Sequence, residues 1–378
     1  MAEGKGKRVM EIAGGQQTAL SSSSTASSWM DSFRSLQSYL LDLPCSSAAN
    51  YSIAGNALHL KFGNERFRDQ VSRAFHHLEG AHPSEGSLTV LLHDLHTAPR
   101  VEDILGTLDL PGGETDIWLV DRPDLMFIVQ RQGRLFTAVD WRTNTACLLV
   151  PDAASMPYIE RAAPLKLLMS HWLGMQARYL VHAAAVGNAN GGVLIFGHGG
   201  AGKSTAALSC LNAGLGYAAD DHCLVSLDDS PWVHSIYCTG KLAVEDLGRF
   251  PSLLPAAELV DRPDEEKAVF IFDRFPAVSV SRSFPLRAIL LARITGGVRT
   301  GLRRISSAEA FRVVTSSCAW HFPSMRSRAL GCFNALVRQL PAYVLELGSD
   351  FDSTPDAIRE LLDQTLDEKG MGDGRKAD

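Results

Sequence analysis

The spacing of apolar residues predicts different structures in successive stretches of the chain. Residues 1 to about 28 are rich in Ser, Gly and Gln and have few apolar side chains, so we predict that they are disordered. From Trp29 to Leu43, Phe33, Leu36 and Leu40 recur at helical spacing. This stretch predicts a short helix that links the N-terminus to the first folded domain.

Between residues 48 and 150 the pattern changes to short β-type runs separated by Gly, Pro, Asp and Asn turns. One amphipathic helix is predicted over 65–78, where apolar positions recur at helical spacing. Strands are predicted at 51–53, 58–62, 88–92, 117–120, 125–130, 135–139 and 146–150. The stretch therefore predicts a small mixed α+β domain, rich in antiparallel strands.

The rest of the chain alternates strand and helix patterns, which is typical of an α/β domain. Helices are predicted at 161–179, 203–213, 307–314, 324–340 and 356–366. Strands are predicted at 180–186, 193–196, 215–219, 223–227, 233–237, 268–272, 288–292 and 343–347. Gly214 stands where the C-terminal glycine of a helix belongs.

Composition narrows the class of protein. Of 378 residues, 46% are hydrophobic and 21% charged, with a net charge of −6, so there is no overall basic field for nucleic acid or anionic membranes. The seven cysteines include no C-x-x-C pair, and we expect neither a disulfide framework nor a zinc site. Without an apolar run of membrane-span length or a secretory signal, we expect a cytoplasmic protein.

A glycine loop carries the strongest chemical signal. It matches G-x-x-x-x-G-K-[ST], follows an apolar strand and opens a helix, as a phosphate-binding loop must. Its backbone amides and helix N-terminus suit phosphate, the lysine reaches the β- and γ-phosphates of ATP, and the serine hydroxyl suits Mg²⁺. The alternative is a glycine-rich turn without a ligand. The residues assigned to the nucleotide are Gly197, His198, Gly199, Gly200, Ala201, Gly202, Lys203, Ser204 and Thr205.

Two adjacent carboxylates, Asp220 and Asp221, end the next predicted strand. In an α/β sheet this position lies at the carboxyl edge, near the glycine loop. One carboxylate there can hold Mg²⁺ and the other can accept a proton from an attacking hydroxyl. The alternative is a solvated acidic turn, which is our interpretation of Asp228 and Asp229.

His182 lies in an Ala- and Val-rich strand before the loop. A single histidine in such a strand is more often a satisfied core residue than a functional one. His198 and His222 flank the candidate site and could contact phosphate, but the sequence gives no reason to choose either.

Three segments follow one another in this order: Val181-His182, Gly192 to Ser204 and Leu215 to Asp221. Together they resemble the catalytic domain of HPr kinase/phosphorylase. The resemblance covers roughly residues 160–350, with specific motifs only in 181–226. It implies that Asp220 is the catalytic base, that Asp221 helps to bind Mg²⁺, and that His182 assists the phosphate site. The end of the chain is similar to HPr-kinase-like proteins encoded beside ribosomal-peptide biosynthesis genes, including kinases that phosphorylate a serine of lasso-peptide precursors.

The chain also departs from that family. The family's second metal-binding carboxylate should fall at Glu245 or Asp246, and the surrounding residues do not decide between them. The family's basic segment for protein substrates has no clear counterpart. Four residues are candidates, although a solvated face is the simpler interpretation of each: Lys267, Arg274, Arg282 and Arg287. Together with a dissimilar N-terminal domain, these differences argue against HPr itself as the substrate.

We therefore predict four segments: a disordered N-terminus and linker helix (1–47), a mixed α+β domain (48–155), a P-loop kinase domain (156–366) and a solvated tail (367–378). The expected reaction is ATP- and Mg²⁺-dependent phosphorylation of a serine hydroxyl on a peptide or protein. Two alternatives stay open: a kinase for a small-molecule hydroxyl, and a non-catalytic ATP-binding regulatory module. The sequence leaves the oligomeric state open, a homo-oligomer included.

Overall fold

The computed structural model describes residues 23–80, 86–101, 103, 117–130, 134–259, 267–275, 278, 280–318 and 326–373. Residues 1–22 of the segment predicted to be disordered and the last five residues of the predicted tail lie outside these ranges. Residues 367–373, which were also predicted as tail, are helical. The described chain is mixed α/β and divides into two compact units. Of the described residues, the first unit contains those up to 49, those in 58–70 and those in 84–156. The second unit contains those in 50–57, those in 71–83 and those from 157 onward.

A seven-stranded mixed sheet accounts for the predicted strands between residues 48 and 150, all of which are confirmed. Its order is β1-β2-β3-β7-β6-β5-β4; β2, β3 and β7 run parallel, and β7 to β4 run antiparallel. The strands are β1 Ser47–Ile53, β2 Asn56–Phe62, β3 Leu88–Asp94, β4 Ile117–Asp121, β5 Leu125–Gln130, β6 Leu135–Asp140 and β7 Thr145–Val150.

The helix predicted over 29–43 is confirmed but begins earlier: α1 is Ser23–Asp42, so the predicted disorder is wrong for residues 23–28. It buries Phe33, Leu36 and Leu40 in the core of the first unit. The helix predicted over 65–78 is only half correct, because α2 is Glu65–Val71 and a 3₁₀ helix follows over Ser72–Leu78.

The carbonyls of Arg73 and Ala74, within this 3₁₀ segment, accept hydrogen bonds from Cys238. The i, i+3 spacing of a 3₁₀ turn keeps Phe75 and Leu78 on one buried face. Contacts distant in sequence therefore select the tighter helix.

The second unit contains the glycine loop and the aspartate pair. Its helices are α3 Tyr158–Ala162, α4 Lys166–Met175, α5 Lys203–Asn212, α6 Ser307–Cys318, α7 Arg326–Gln339 and α8 Ser353–Asp373. Its strands are β8 Tyr179–Val181, β9 Ala184–Asn188, β10 Gly191–Phe196, β11 Gly216–Ala219, β12 Cys223–Leu227, β13 Pro231–Ser235, β14 Thr239–Ala243, β15 Ala257–Leu259, β16 Lys267–Ile271, β17 Ser283–Ile294, β18 Gly301–Ile305 and β19 Ala342–Leu347. The predicted α/β alternation is confirmed here, although β14, β15 and β18 were not predicted.

The order β11-β9-β10-β17 places the strands around the glycine loop side by side. The antiparallel strand β9 lies between β10 and β11, and β17 runs parallel to β10. The second half of β17 also pairs in parallel with β19, and its first half pairs with β13. Strands β14, β16 and β15 form a separate antiparallel sheet. Side chains of α5 and α8 share one apolar core with β9, β10, β17 and β19.

Two predicted elements are each broken in the structure. The helix predicted over 161–179 is α3 and α4, because Pro164 supplies no amide and Leu165 takes a left-handed φ of 58°. The strand predicted over 180–186 is β8 and β9, which pair with different partners, β12 and β10. His182 stands at that break.

No helix within the described ranges is both long and apolar enough to cross a bilayer. All seven cysteines carry free thiols, and only Cys45 is exposed.

Gly214 closes α5 as the sequence predicted, with a φ of 81°. The amide of Leu215 bonds to the carbonyl of Cys210 at 2.9 Å, which is the pattern of a glycine-capped helix end. A Cβ at Gly214 would meet no atom within 4 Å, so only the backbone conformation restricts this position.

We expect Gly214→Ala to lower the free energy of unfolding by about 1–2 kcal/mol, the cost of a left-handed L-residue. The matched control is Gly331→Ala, in the exposed interior of α7, where a Cβ also meets nothing. That change should raise the free energy of unfolding by roughly 0.5–1 kcal/mol. Urea unfolding of both variants measures the difference, and shifts of the same sign would contradict the assignment of Gly214 as the cap.

Candidate active site

The glycine loop joins β10 to α5, at the edge where β10 ends. Gly202 takes a φ of 92°, and a Cβ there would come within 2.5 Å of Leu347 Cδ1, so both conformation and packing require glycine. The loop is exposed at His198, Gly199 and Gly200. Its tip is closed by the Ala201 amide, which donates to the His198 carbonyl at 3.1 Å.

The first turn of α5 contains the remaining loop residues, Lys203, Ser204 and Thr205. The first amides of a helix have no acceptor within it, so they are available to an anion. Lys203 is buried, and its Nζ donates to the carbonyl of Gly197 at 2.6 Å. Burial lowers the pKa of Lys203, and the charges of Asp220 and Asp221 oppose that shift. The lysine therefore interacts electrostatically with the aspartate pair.

Asp220 follows β11 and is 1% exposed. Its Oδ2 accepts the backbone amide of Lys241 at 2.8 Å, and its Oδ1 forms no hydrogen bond with any described residue. Burial, and then the charge of Asp221, raises the pKa of Asp220; the nearby Ser204 hydroxyl and the Lys241 amide act in the opposite direction. One oxygen of this buried carboxylate thus lacks a backbone partner, and the Ser204 hydroxyl lies close to the same side chain.

Asp221 differs from its neighbour because both of its oxygens are engaged. Oδ1 lies 2.8 Å from Nε2 of His182, and Oδ2 lies 3.2 Å from Nδ1 of His222 and 2.9 Å from Nζ of Lys241. Burial alone would raise the pKa of Asp221, but these neighbours hold it well below its usual value. Asp221 is therefore ionised at neutral pH, whereas the pKa of Asp220 is shifted in the opposite direction.

The two imidazoles stack, with ring centroids 5.5 Å apart. Burial lowers the pKa of His222 to about 4, so at pH 7 this ring is neutral and donates its Nδ1 proton to Asp221. Lys241 then supplies the permanent positive charge next to Asp221. The structure thus places His182, which the sequence singled out, in direct contact with the aspartate pair.

Lys241 is the residue that sequence reasoning missed. It lies on β14, a strand that was not predicted, and it contacts Asp220 through its backbone and Asp221 through its side chain. Although burial acts to lower it, the pKa of Lys241 is raised by Asp221 and then by Asp220. The only signal in the sequence was a single lysine within the uncharged stretch from Ile236 to Ala243.

A small pocket opens beside the aspartates, with a volume of about 10 Å³, room for roughly one water molecule. The loop between α3 and α4 forms one wall, where Thr239 Oγ1 donates to the Ala162 carbonyl at 2.7 Å. The lining residues are Ala162, Ala163, Asp220, Asp221, His222, Tyr237, Thr239, Gly240 and Lys241.

The remaining candidates lie elsewhere or have other contacts. Glu245 is exposed on a 3₁₀ helix, and Asp246 pairs with Arg249 at 3.1 Å. Neither contacts the aspartate pair, and no group of three His, Cys, Asp or Glu side chains in the described part of the chain could hold a metal. Of the basic candidates, Lys267 is exposed and its charge lowers the pKa of Lys203, whereas Arg282 and Arg287 donate to the carbonyls of Glu79 and Asn190. The Arg274 side chain lies outside the described residues.

The fold and the site together define a mixed α/β protein in which a glycine loop, a histidine and an aspartate pair share one sheet edge. No family model matches the chain, and no curated protein matches it. Among solved structures, the chain is similar to the HPr(Ser) kinase/phosphatase from Coxiella burnetii, with 12% identity, 50% of this chain and 98% of that chain covered, and a TM-score of 0.28. These values are too low to assign a family, so the interpretation of the site rests on its own geometry.

Protonation of His222 should make folding stability depend on pH. The unfolded ring titrates near 6.5 and the folded ring near 4, so the unfolded state binds more protons between these values. Stability should therefore fall as the pH drops from about 6.5 to 4, by up to about 1.4 kcal/mol per pH unit from this group. In His222→Gln, which has no titrating ring, the decline should be shallower.

Chemical unfolding of both proteins at several pH values between 4 and 7, in the presence of EDTA, tests this linkage. His76→Gln is a suitable control because its ring is about half exposed and pairs with Glu79 on the surface. If His222→Gln and the native chain show parallel profiles, His222 is not held neutral by burial.

Proposed function

We propose that the protein is an ATP- and Mg²⁺-dependent kinase that phosphorylates a hydroxyl group, the acceptor being a serine of a peptide or protein. One observation carries the proposal: a glycine loop with a buried lysine lies beside a buried and a partly buried carboxylate whose pKa values are shifted in opposite directions. Titrating groups whose environments separate their pKa values in this way are typical of acid–base assignments in active sites.

Nucleotide binding would use the loop and the start of α5. The free amides of the first turn and the helix N-terminus favour phosphate oxygens. Lys203 Nζ, which now donates to the carbonyls of Gly197 and His198, can exchange these acceptors for phosphate oxygens. The exposed tip from His198 to Gly200 leaves the loop open to such a ligand.

The donor set also fits magnesium, which prefers hard oxygen ligands and usually keeps waters and substrate phosphates in its shell. Ser204, in the first turn of α5, offers a hydroxyl, and Asp221 offers a carboxylate that is ionised at neutral pH. Lys241 Nζ is the cation that Asp221 holds in this structure. When bound, the metal would supply charge neutralisation at the phosphates.

Asp220 suits the role of general base. Its raised pKa moves it toward the range in which proton transfer is efficient. The Lys241 amide holds Oδ2 and so fixes the orientation of the carboxylate. Asp220 would take the proton of the acceptor hydroxyl while the loop residues hold the phosphates.

A peptide is the acceptor class that we favour over a small molecule. A hydroxyl on a short side chain of an otherwise external peptide needs little enclosed space. The resemblance of the end of the chain to kinases of lasso-peptide precursors makes such a precursor the first acceptor to test.

Lys203→Ala should weaken binding of a non-hydrolysable ATP analogue with Mg²⁺ by roughly 10- to 100-fold, since hydrogen bonds to charged groups contribute about 1.5–3 kcal/mol. Titration calorimetry measures the change. Lys61→Ala, which removes an exposed lysine from β2, is the control and should bind normally. An unchanged affinity in a folded Lys203→Ala protein would refute the assignment of the phosphate loop.

Asp220→Asn should lower the turnover of phosphate transfer by about 10²- to 10⁴-fold, because the amide cannot accept the proton. Nucleotide binding should survive, since Lys203, Ser204 and Asp221 are retained. Asp228→Asn is the matched control, as Asp228 is an exposed carboxylate paired with Arg178. Transfer at the native rate in Asp220→Asn would show that another group is the base.

The acceptor can be identified by incubating the protein with ATP, Mg²⁺ and serine-containing peptides, a lasso-peptide precursor among them, and reading the products by mass spectrometry. We expect one added phosphate that is lost when the acceptor serine is replaced by alanine. Modification of free serine or another small alcohol, but no peptide, would support a small-molecule kinase. Nucleotide binding without transfer to any acceptor would support a regulatory module.

A further inference from the structure

The two most exposed large apolar side chains lie in one turn. Among the described residues, Val298 is 68% exposed and Ile294 63% exposed. Ile294 ends β17, and Val298 lies in the turn that leads to β18. Isolated exposed apolar residues are ordinary, but two at one corner beside a candidate ligand site suggest a contact surface.

This corner lies directly beside the glycine loop. A Cβ placed on Gly202 would lie 3.5 Å from Cγ1 of Ile294, so the isoleucine side chain flanks the loop backbone. The contact follows from topology, because β17 runs parallel to β10 and extends past the point where the glycine loop begins. Ile294 is therefore positioned at the same sheet edge as the loop.

The turn is held in place, so its exposure does not result from a loose loop. The Thr295 amide bonds to the Leu347 carbonyl at 2.9 Å, and the Asp350 amide bonds to the Val298 carbonyl at 2.8 Å. The neighbouring apolar side chain, Phe351, is covered by the Arg249 guanidinium at 4.2 Å from the ring centroid. Ile294 and Val298 are thus presented on an anchored backbone with most of their surface uncovered.

The order of the strands indicates which part of a nucleotide would reach this corner. The aspartate pair follows β11, on one side of β10, and the Ile294 turn follows β17, on the other side. A polyphosphate held by the loop has its reactive end near the aspartates. The opposite end of the same ligand, which carries the nucleoside, then points toward β17.

We propose that Ile294 and Val298 form the apolar surface on which the base of the bound nucleotide lies. This inference rests on the proposed function, because it takes the glycine loop as the phosphate site. The faces of a purine ring are apolar and planar, and aliphatic side chains on a fixed turn can remove them from water. The contact would contribute to the affinity for a nucleotide and nothing to the affinity for its phosphates alone.

The experiment compares two ligands on the full chain: a non-hydrolysable ATP analogue and inorganic tripolyphosphate, each with Mg²⁺. In Ile294→Ser and Val298→Ser, we expect the Kd for the analogue to rise by about 5- to 30-fold, as expected for losing one apolar contact. The Kd for tripolyphosphate should stay unchanged. Val298→Phe, which enlarges the apolar surface, should tighten the analogue only.

Leu330→Ser is the control, because it removes an exposed leucine from α7 and should change neither Kd. If the Ile294 and Val298 variants lose the same affinity for both ligands, the turn only supports the loop and the proposal is overturned. Unchanged affinity for both ligands would also overturn it. If the native chain binds neither ligand, the phosphate site itself fails. If the native chain binds tripolyphosphate as tightly as the nucleotide analogue, the assignment of the phosphate site stands and the base surface is refuted.

Discussion

A buried carboxylate next to a partly buried one, Asp220 and Asp221, is the constraint around which the site is organised. Adjacent negative charges at low exposure are costly unless hydrogen bonds and opposite charges compensate them. Lys241 contacts both aspartates, with its amide on Asp220 and its ammonium on Asp221. The charged ammonium of Lys241 contacts Asp221, whereas Asp220 is contacted by this lysine only through its neutral backbone amide. The two carboxylates therefore differ in how readily they bind a proton. The separation of roles proposed for them follows from this asymmetry.

Sheet topology brings the participating segments to one place. Strands β10 and β11 run in the same direction with β9 antiparallel between them. The ends of β10 and β11 and the start of β9 therefore share an edge. The glycine loop follows β10, the aspartates follow β11, and His182 precedes β9. Three segments far apart in sequence meet there without a long connection, and the helix α5 both completes the loop and joins β10 to β11.

Much of this arrangement could be predicted from the sequence because its signals are local. The strands of the first unit, the helix after the glycine loop and the cap at Gly214 each follow from spacing or from one residue's conformational preference. The structure also brings His182 and Asp221 into contact, although the sequence placed His182 inside a strand, where a core role was the simpler interpretation. That contact does not test the catalytic roles, and it does not test the assignment of Ser204, Asp221 and Glu245 as metal ligands. Both assignments stay predictions.

What escaped prediction depends on partners distant in the chain. The apolar run from Leu180 to Val186 has no internal sign of a break, yet β8 and β9 pair with different strands. The 3₁₀ segment after α2 is selected by hydrogen bonds from Cys238, and the short strand β14 by its pairing with β16. Lys241 could not be recognised because its importance derives from the aspartates it contacts, and no spacing rule relates it to them.

The local charge of the site explains how an acidic protein can offer a polyphosphate site. Lys203 and Lys241 interact with both aspartates, and burial lowers the pKa of Lys166, which also interacts with Asp221. The charges of the aspartates favour the charged form of these lysines, of which only Lys203 is fully buried, and Lys241 in turn keeps Asp221 ionised. Such a cluster is balanced within itself, so the proposed affinity for phosphate would come from oriented amides and from a lysine that can exchange acceptors. The net charge of −6 is then irrelevant to the ligand, because the field that matters is set within a few ångströms of the sheet edge.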